Sequence, residues 1–325
     1  MEPSLLKVTD LRVVSSGRGG GQEIVRGVSF EVREGESVAL VGESGSGKSL
    51  TMLAVMGLLG PGLSSPTGEV RFGGRELREM PEGELRQLRG AEIAMIYQDP
   101  MTSLNPMMRI GDQVAETLTA HGTGGAEAAR RARKELVKVG IPDPDRTARA
   151  YPHEFSGGMR QRAMIATALV TGPRLLIADE PTTALDVTIQ QQILALVRER
   201  QRSDRMATIW ITHDLGVVAQ LVTRVLVMYA GRIVEDAPVR ELFAAPQHPY
   251  TAALLASLPH AGDLVRAPLA QIGGVPPAPG SVPLGCSFRP RCPQAVEKCL
   301  EDPTLMPRHS SLVACWVPRE EWTRC

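Results

Sequence analysis

The octapeptide Gly42-Glu43-Ser44-Gly45-Ser46-Gly47-Lys48-Ser49 has the spacing G-x-x-x-x-G-K-[ST] and follows directly on the apolar run Ser37 to Val41. This order asks for a buried strand, a tight loop and a helix opening at Lys48, which commits the chain to an α/β core. Glycines let backbone N–H groups curl around phosphates with no Cβ in the way, and the helix N-terminus turns its positive end to the same anions. Lys48 adds a point charge for the β- and γ-phosphates, and the Ser49 hydroxyl can reach magnesium. The loop is therefore read as a nucleoside triphosphate site built from Gly42, Ser44, Gly45, Ser46, Gly47, Lys48 and Ser49. A flexible Gly/Ser linker would need neither the closing Lys-Ser pair nor the flanking strand and helix.

A hydrolytic apparatus is suggested by Leu175-Leu176-Ile177-Ala178-Asp179-Glu180, an apolar strand ending in two acids. Strand C-termini of a parallel sheet open onto the ligand crevice, so Asp179 is expected beside magnesium and Glu180 one step further out, placed to polarise a water. Two adjacent carboxylates can also be an ordinary solvated strand end. A second apolar run, Thr208 to Thr212, ends at His213. Taken alone, a single histidine is more often packed or solvent-facing than catalytic.

Phe155-Ser156-Gly157-Gly158-Met159-Arg160-Gln161-Arg162 lies upstream of the acidic strand and opens a helix-like run to Val170. A hydroxyl, small residues and a helix N-terminus again suit an anion, although the tripeptide alone reads more simply as a helix cap. The stretch resembles the signature loop of ATP-binding-cassette (ABC) ATPases, with Met159 where the usual form has Gln and with Gln161 two places later. The resemblance implies that Ser156, Gly157 and Gly158 face the γ-phosphate held by a partner subunit. It also implies that Gln98, after the apolar run Ile93 to Tyr97, is the Q-loop glutamine contacting magnesium and the attacking water. Asp186, in Pro181-Thr182-Thr183-Ala184-Leu185-Asp186, fits the D-loop, and His213 fits the switch histidine that holds the γ-phosphate. Six motifs agree in order and flanking pattern over roughly residues 5 to 255. One family feature is missing. Members usually stack adenine on an aromatic near the end of the first strand, whereas Val13 to Ser16 reads Val, Val, Ser, Ser, leaving the purine contact to apolar groups such as Val25.

Lys+Arg and Asp+Glu number 36 each, so no net field draws in nucleic acid or anionic lipid, and nucleic-acid binding is disfavoured. Apolar stretches such as Leu50 to Leu59 and Leu221 to Ala230 fall short of the ~20 residues that span a bilayer. No basic segment followed by an apolar run opens the sequence. Membrane attachment is therefore expected to come through other subunits.

The implied fold class is an α/β P-loop NTPase core of the ABC type. An antiparallel β-subdomain is expected within Lys7 to Phe72, which includes the Gly-rich stretch Gly17 to Gly21. A helical subdomain follows over about 99–170, where Ala126 to Val139 has apolar positions at helical spacing and charges read as a solvated face. Val187 to Arg202 reads as a long amphipathic helix. The nucleotide-binding domain is placed at 1–258 and an irregular Pro/Cys-rich C-terminal extension at 259–325, because eight prolines fall between Pro259 and Pro293.

A narrower resemblance comes from Tyr97-Gln98-Asp99-Pro100-Met101-Thr102-Ser103-Leu104-Asn105-Pro106, similar to the Q-loop extension of the oligopeptide and dipeptide importer ATPases. The prolines suggest a rigid, non-helical loop suited to docking a permease helix. Gln247-His248-Pro249-Tyr250-Thr251 resembles the same importers. All five cysteines lie in the tail, and Cys286, Cys292, Cys299 and Cys315 follow C-x5-C-x6-C-x15-C, with Cys325 left over. Thiols gathered where little core exists suggest a metal staple in a reducing compartment. The tail Gly285 to Pro293 resembles that of peptide-importer ATPases, some of which hold a 4Fe-4S cluster through four such cysteines; tetrahedral zinc is the alternative.

Together the resemblances imply an ATP- and Mg2+-dependent subunit that powers peptide uptake from the cytoplasmic face of the cell membrane, as a peripheral protein. The implied partners are a second ABC ATPase, usually a different chain in this subfamily, two transmembrane permeases and an extracytoplasmic substrate-binding protein. Nickel and glutathione importers share these motifs. A DNA-repair ATPase would normally carry an insertion between Lys48 and Asp179, for which the sequence has no room.

Overall fold

The computed structural model describes residues 4–16, 21–181, 186–213, 215–257 and 271–323. The contacts divide the chain into a β-rich unit, Ser4–Glu31, Val38–Arg78 and Thr212–Cys325, and a helical unit that includes Val32–Ser37 and Glu79–Ile211.

In the β-rich unit, strand Ser4–Ser15 lies between Gln22–Arg33 and Glu69–Phe72, with Leu63–Ser64 and Arg75–Glu76 completing the sheet. The pairing of Ser4–Ser15 with Glu69–Phe72 is antiparallel, Leu6 opposite Phe72 and Val8 opposite Val70. Leu6 and Val8 are buried in a two-residue alternation that shifts by one past Asp10, whose φ is 44°, to bury Leu11 and Val13. Of the Gly-rich stretch Gly17 to Gly21, only Gly21 is among the described residues.

A second set of strands carries the nucleotide motif. Ser37–Val41 is buried throughout, and it runs parallel to Arg224–Tyr229 with Ala39 opposite Val225. A strand covered on both faces reads as an unbroken apolar run, and this one does. Arg232–Pro238 folds back antiparallel on Arg224–Tyr229 across a bulge between Val227 and Met228. The C-terminal extension departs from the expected irregularity: Ser311–Val313 adds antiparallel to Arg232–Pro238, and Met306–Arg308 pairs with it in turn. Val313 is buried while its neighbour Leu312 is exposed, a two-residue alternation too short to stand out from a Pro-rich tail. Under these strands Tyr229, Tyr250 and Phe288 form an aromatic cluster, with ring centroids 4.6 Å apart for Tyr229–Tyr250 and 5.3 Å for Tyr229–Phe288. The expected irregular run from Pro259 lies outside the described residues as far as Ala270.

In the helical unit, Ile93–Ile96, Leu175–Asp179 and Ala207–Ile211 form parallel neighbours, with Ile177 opposite both Met95 and Ile209. Helices Ile110–Thr119, Gly125–Lys138 and Gly157–Leu169 pack on one another. Ala128, Ala132 and Leu136, four residues apart, form the buried stripe of the second. The charges of that helix are not all a solvated face. Glu135 is buried and accepts two 3.1 Å hydrogen bonds from Arg200, while Lys138 lies 3.1 Å away. Val187–Asp204 is one helix, as its pattern predicts.

Candidate nucleotide-binding site

The phosphate-loop motif turns on three glycines at positive φ, a backbone that costs any residue with a Cβ. Gly42, Gly45 and Gly47 have φ of 152°, 78° and 101°. At Gly42 a Cβ would fall 2.1 Å from the Met228 carbonyl oxygen, so the neighbouring strand admits only glycine there. The loop is tied down by Ser46 N–H donating to the Glu43 carbonyl at 3.2 Å and Gly231 N–H to the Ser46 carbonyl at 3.0 Å. Helix Lys48–Val55 starts at Gly47 without a side-chain cap, which leaves its first N–H groups to serve an anion. Lys48 is buried, its ammonium donating to the carbonyls of Gly42 at 2.8 Å and Glu43 at 2.9 Å and to Ser46 Oγ at 3.3 Å. Ser44 and Gly45 are exposed at the tip, and Ser49 is half-buried in the first helical turn. Val25, expected to touch the purine, is fully buried behind Gly47 and offers a base no surface. His213 is exposed, and Asp214 lies outside the described residues.

Residue 43 is fixed by contacts that leave no local signature. Its N–H donates to Tyr250 Oη at 2.8 Å, and its carboxylate takes both arms of Arg291, at 2.6 and 2.9 Å. The partners are 248 residues apart in the chain, and no short motif records such a pair. Two stretches singled out by resemblance, Gln247–Thr251 and Gly285–Pro293, hold these partners, but neither pointed to Glu43.

Of the expected hydrolytic residues, Asp179, Glu180 and Gln98 lie in the helical unit and His213 in the β-rich one. Asp179 is buried at the end of its strand. Glu180 follows with φ of 46°, a left-handed conformation costly for a residue with a Cβ, and its N–H donates to the Ile211 carbonyl at 2.9 Å. Such strain clusters where side chains must be aimed. Gln98, exposed after strand Ile93–Ile96, donates from Nε2 to Glu180 Oε2 at 3.2 Å. The structure thus joins two residues that the sequence reading placed in one site, although they are 82 positions apart. The expected non-helical loop after Gln98 instead contains one helical turn, Pro100–Ser103. Asp99 caps it by accepting the Met101 N–H at 2.8 Å, and proline suits a first helical position because its missing donor is not needed there.

Ser156 caps helix Gly157–Leu169, accepting the Met159 N–H at 3.3 Å. Ser156 and Gly157 are exposed, Gly158 is half-buried, and a Cβ at Gly157 would meet nothing. Gln161, buried one turn on, donates to the Pro181 carbonyl and so links this helix to the chain beyond Glu180. Asp186 caps helix Val187–Asp204, accepting the Ile189 N–H at 3.0 Å. The rest of its motif, residues 182–185, lies outside the described residues.

In the extension, Cys286, Cys292, Cys299 and Cys315 are free thiols. The Cys286 N–H donates to the Cys299 carbonyl at 3.0 Å. Burial pushes the Cys292 thiol up to about 12, and the thiols of Cys315, Cys286 and Cys299 add to the shift. Cys286 is raised the same way, by burial first and then by Cys299 and Cys315. Among the described residues no three Cys, His, Asp or Glu side chains gather around a position for a single metal ion. Neither the expected 4Fe-4S cluster nor the zinc alternative has such a grouping to draw on.

Residues 25–183 match the family described as ABC transporter, and residues 234–299 match the oligopeptide/dipeptide transporter C-terminal region. The chain is 48% identical to a dipeptide transport ATP-binding protein of Bacillus subtilis, over 96% of this chain and 94% of that one. It is 49% identical to an oligopeptide transport ATP-binding protein of Salmonella typhimurium, over 98% and 95%. Among solved structures it is similar to an ATP-binding cassette dimer in a post-hydrolysis state with ADP and Pi. That match has a TM-score of 0.66 and 26% identity, covering 72% of this chain and 99% of that one.

Proposed function

We propose, from the premise that this chain belongs to the ABC transporter family, that it is the ATP-hydrolysing subunit of a peptide importer, driving uptake of dipeptides or oligopeptides through partner permeases. The observation that carries the mechanism is the Gln98–Glu180 hydrogen bond at the end of the acidic strand, with Glu180 held in a left-handed backbone.

In this mechanism Glu180 is the general base. A water oxygen bonds to the γ-phosphorus as its proton passes to the Glu180 carboxylate, the bond to the β–γ bridging oxygen breaks, and ADP and phosphate leave. Gln98 orients both the carboxylate and the water. Lys48, now held by the loop carbonyls, would turn its ammonium to the β- and γ-phosphates. Magnesium supplies charge neutralisation when bound, and Ser49, Gln98 and Asp179 are the oxygen donors that would hold it, a donor set suited to a hard cation. Across a closed dimer, Ser156, Gly157, Gly158 and Asp186 of one subunit would face ATP on the other, and His213 would hold the γ-phosphate. The exposure of Ser156, Gly157, Asp186 and His213 supports that reading. The second ATPase, two permeases and an extracytoplasmic binding protein complete the assembly. No described helix is long and apolar enough to cross a membrane, so attachment to the cytoplasmic face rests on the permeases.

The same reading gives the tail a 4Fe-4S cluster held by Cys286, Cys292, Cys299 and Cys315. What supports it is the spacing of the four cysteines and the way neighbouring thiols add to the burial that raises Cys286 and Cys292. Tetrahedral zinc would draw its sulfurs to about 3.8 Å from one another, given Zn–S of about 2.3 Å. Such a cluster would staple the extension.

The test is Glu180→Gln, which preserves shape and the Gln98 contact but removes the base. Turnover should fall roughly a hundred- to ten-thousandfold while ATP stays bound. Hydrolysis near the wild-type rate would remove Glu180 from the mechanism.

A further inference from the structure

We propose that Arg291, in the C-terminal extension, is a positioning residue for ATP: by gripping Glu43 it holds the phosphate loop and cancels a negative charge inside it. The inference rests on the reading of that loop as the ATP site.

Four observations carry it. Arg291 is almost fully desolvated, 4% exposed, and Glu43 is 22% exposed, so the pair is not a surface ion pair of negligible worth. The contact is a two-armed fork, the geometry in which a guanidinium fixes both position and orientation of a carboxylate. Arg291 is itself held from behind, donating to the Gly273 carbonyl at 2.8 Å and the Ile272 carbonyl at 3.2 Å. Its guanidinium also lies 5.8 Å from the Tyr229 ring centroid and 5.9 Å from that of Phe288. Finally, the Glu43 carbonyl is one of the two that receive the Lys48 ammonium, so a shift of residue 43 moves the lysine that serves the phosphates.

An acid in a loop that must close on a triphosphate would repel its ligand. The fork turns that acid into a tether, which explains why a negative residue stands there at all. Loss of Arg291 would leave Glu43 partly buried, uncompensated and beside the incoming anion. Loss of both partners would leave neither charge.

The test measures affinity of the full-length chain for a nonhydrolysable ATP analogue with magnesium, and KM and turnover for ATP. Arg291→Gln should weaken analogue binding by about tenfold and raise KM alike, with turnover at saturating ATP little changed. Adding Glu43→Gln to Arg291→Gln should restore affinity. Arg291→Lys, which keeps charge but not the fork, should fall between and covers the case in which the glutamine variant does not fold. Unchanged affinity in Arg291→Gln and Arg291→Lys overturns the proposal. So does a double variant as weak as the single one, since Arg291 would then act only through packing. If the wild-type chain binds no analogue, the ATP reading itself fails, an outcome distinct from both.

Discussion

His248 should make the protein lose stability in mild acid, by an amount its surroundings allow to be worked out. The side chain is buried, and its Nδ1 accepts the Tyr250 N–H at 3.0 Å, capping helix Pro249–Ala256. Burial lowers its pKa from 6.5 to about 3, with a hydrogen bond to the Ala314 backbone opposing the shift. With Nδ1 accepting and Nε2 facing that backbone, a second proton would break the cap. The native state therefore refuses a proton that the unfolded chain accepts below about 6.5. The contribution is complete above that pH and is lost as pH falls toward about 3. At pH 5, about 1.5 units below the unfolded value, the loss is about 2 kcal/mol relative to pH 7. Glu235, whose carboxylate accepts the His248 N–H at 2.9 Å, is raised by burial and has the opposite sign, losing stability as pH rises. The wild-type profile is thus a sum, and the difference from a variant isolates the histidine. His248→Asn keeps a capping oxygen and cannot titrate. Denaturant unfolding at pH 7 and pH 5 should show the wild type losing about 2 kcal/mol more than the variant. Parallel profiles would refute the reasoning, whatever the variant costs at neutral pH.

Two further outcomes are expected. Gly42→Ala, with its Cβ driven to 2.1 Å from the Met228 carbonyl, should cost about 3 kcal/mol in thermal unfolding and abolish nucleotide binding; a variant of wild-type stability would show that the strand yields. Anaerobically purified protein should contain about four iron atoms per chain with visible absorption, and Cys299→Ser should lose both; an iron-free wild-type sample showing no such absorption would dismiss the cluster.

Much of the site was legible because its chemistry is local. The phosphate loop, the acidic strand and the Ser-Gly-Gly cap each need particular residue types within a few positions, so Gly42 to Ser49, Asp179 and Ser156 declare themselves. Helices Gly125–Lys138 and Val187–Asp204 were visible for the same reason, through a stripe repeating every three to four residues. What escaped depends on partners far along the chain. Nothing adjacent to Glu180 announces its left-handed backbone, nothing near Glu43 foretells Arg291, and buried Val25 looks no different from an exposed valine until the fold covers it. The turn at Pro100–Ser103 was lost to a rule of thumb: proline ends helices, but it also begins them.

The pairing of Ser311–Val313 with Arg232–Pro238 bears on how this polypeptide can be handled. Cutting the chain after the helix Pro249–Ala256 would strip that border and bare a row of backbone donors and acceptors beside Ile233 and Val234, both buried in the whole protein. It would also unseat Phe288 from Tyr229 and Tyr250. A raw strand margin flanked by greasy residues recruits other strands, so a trimmed catalytic fragment should clump and precipitate instead of behaving as a minimal ATPase.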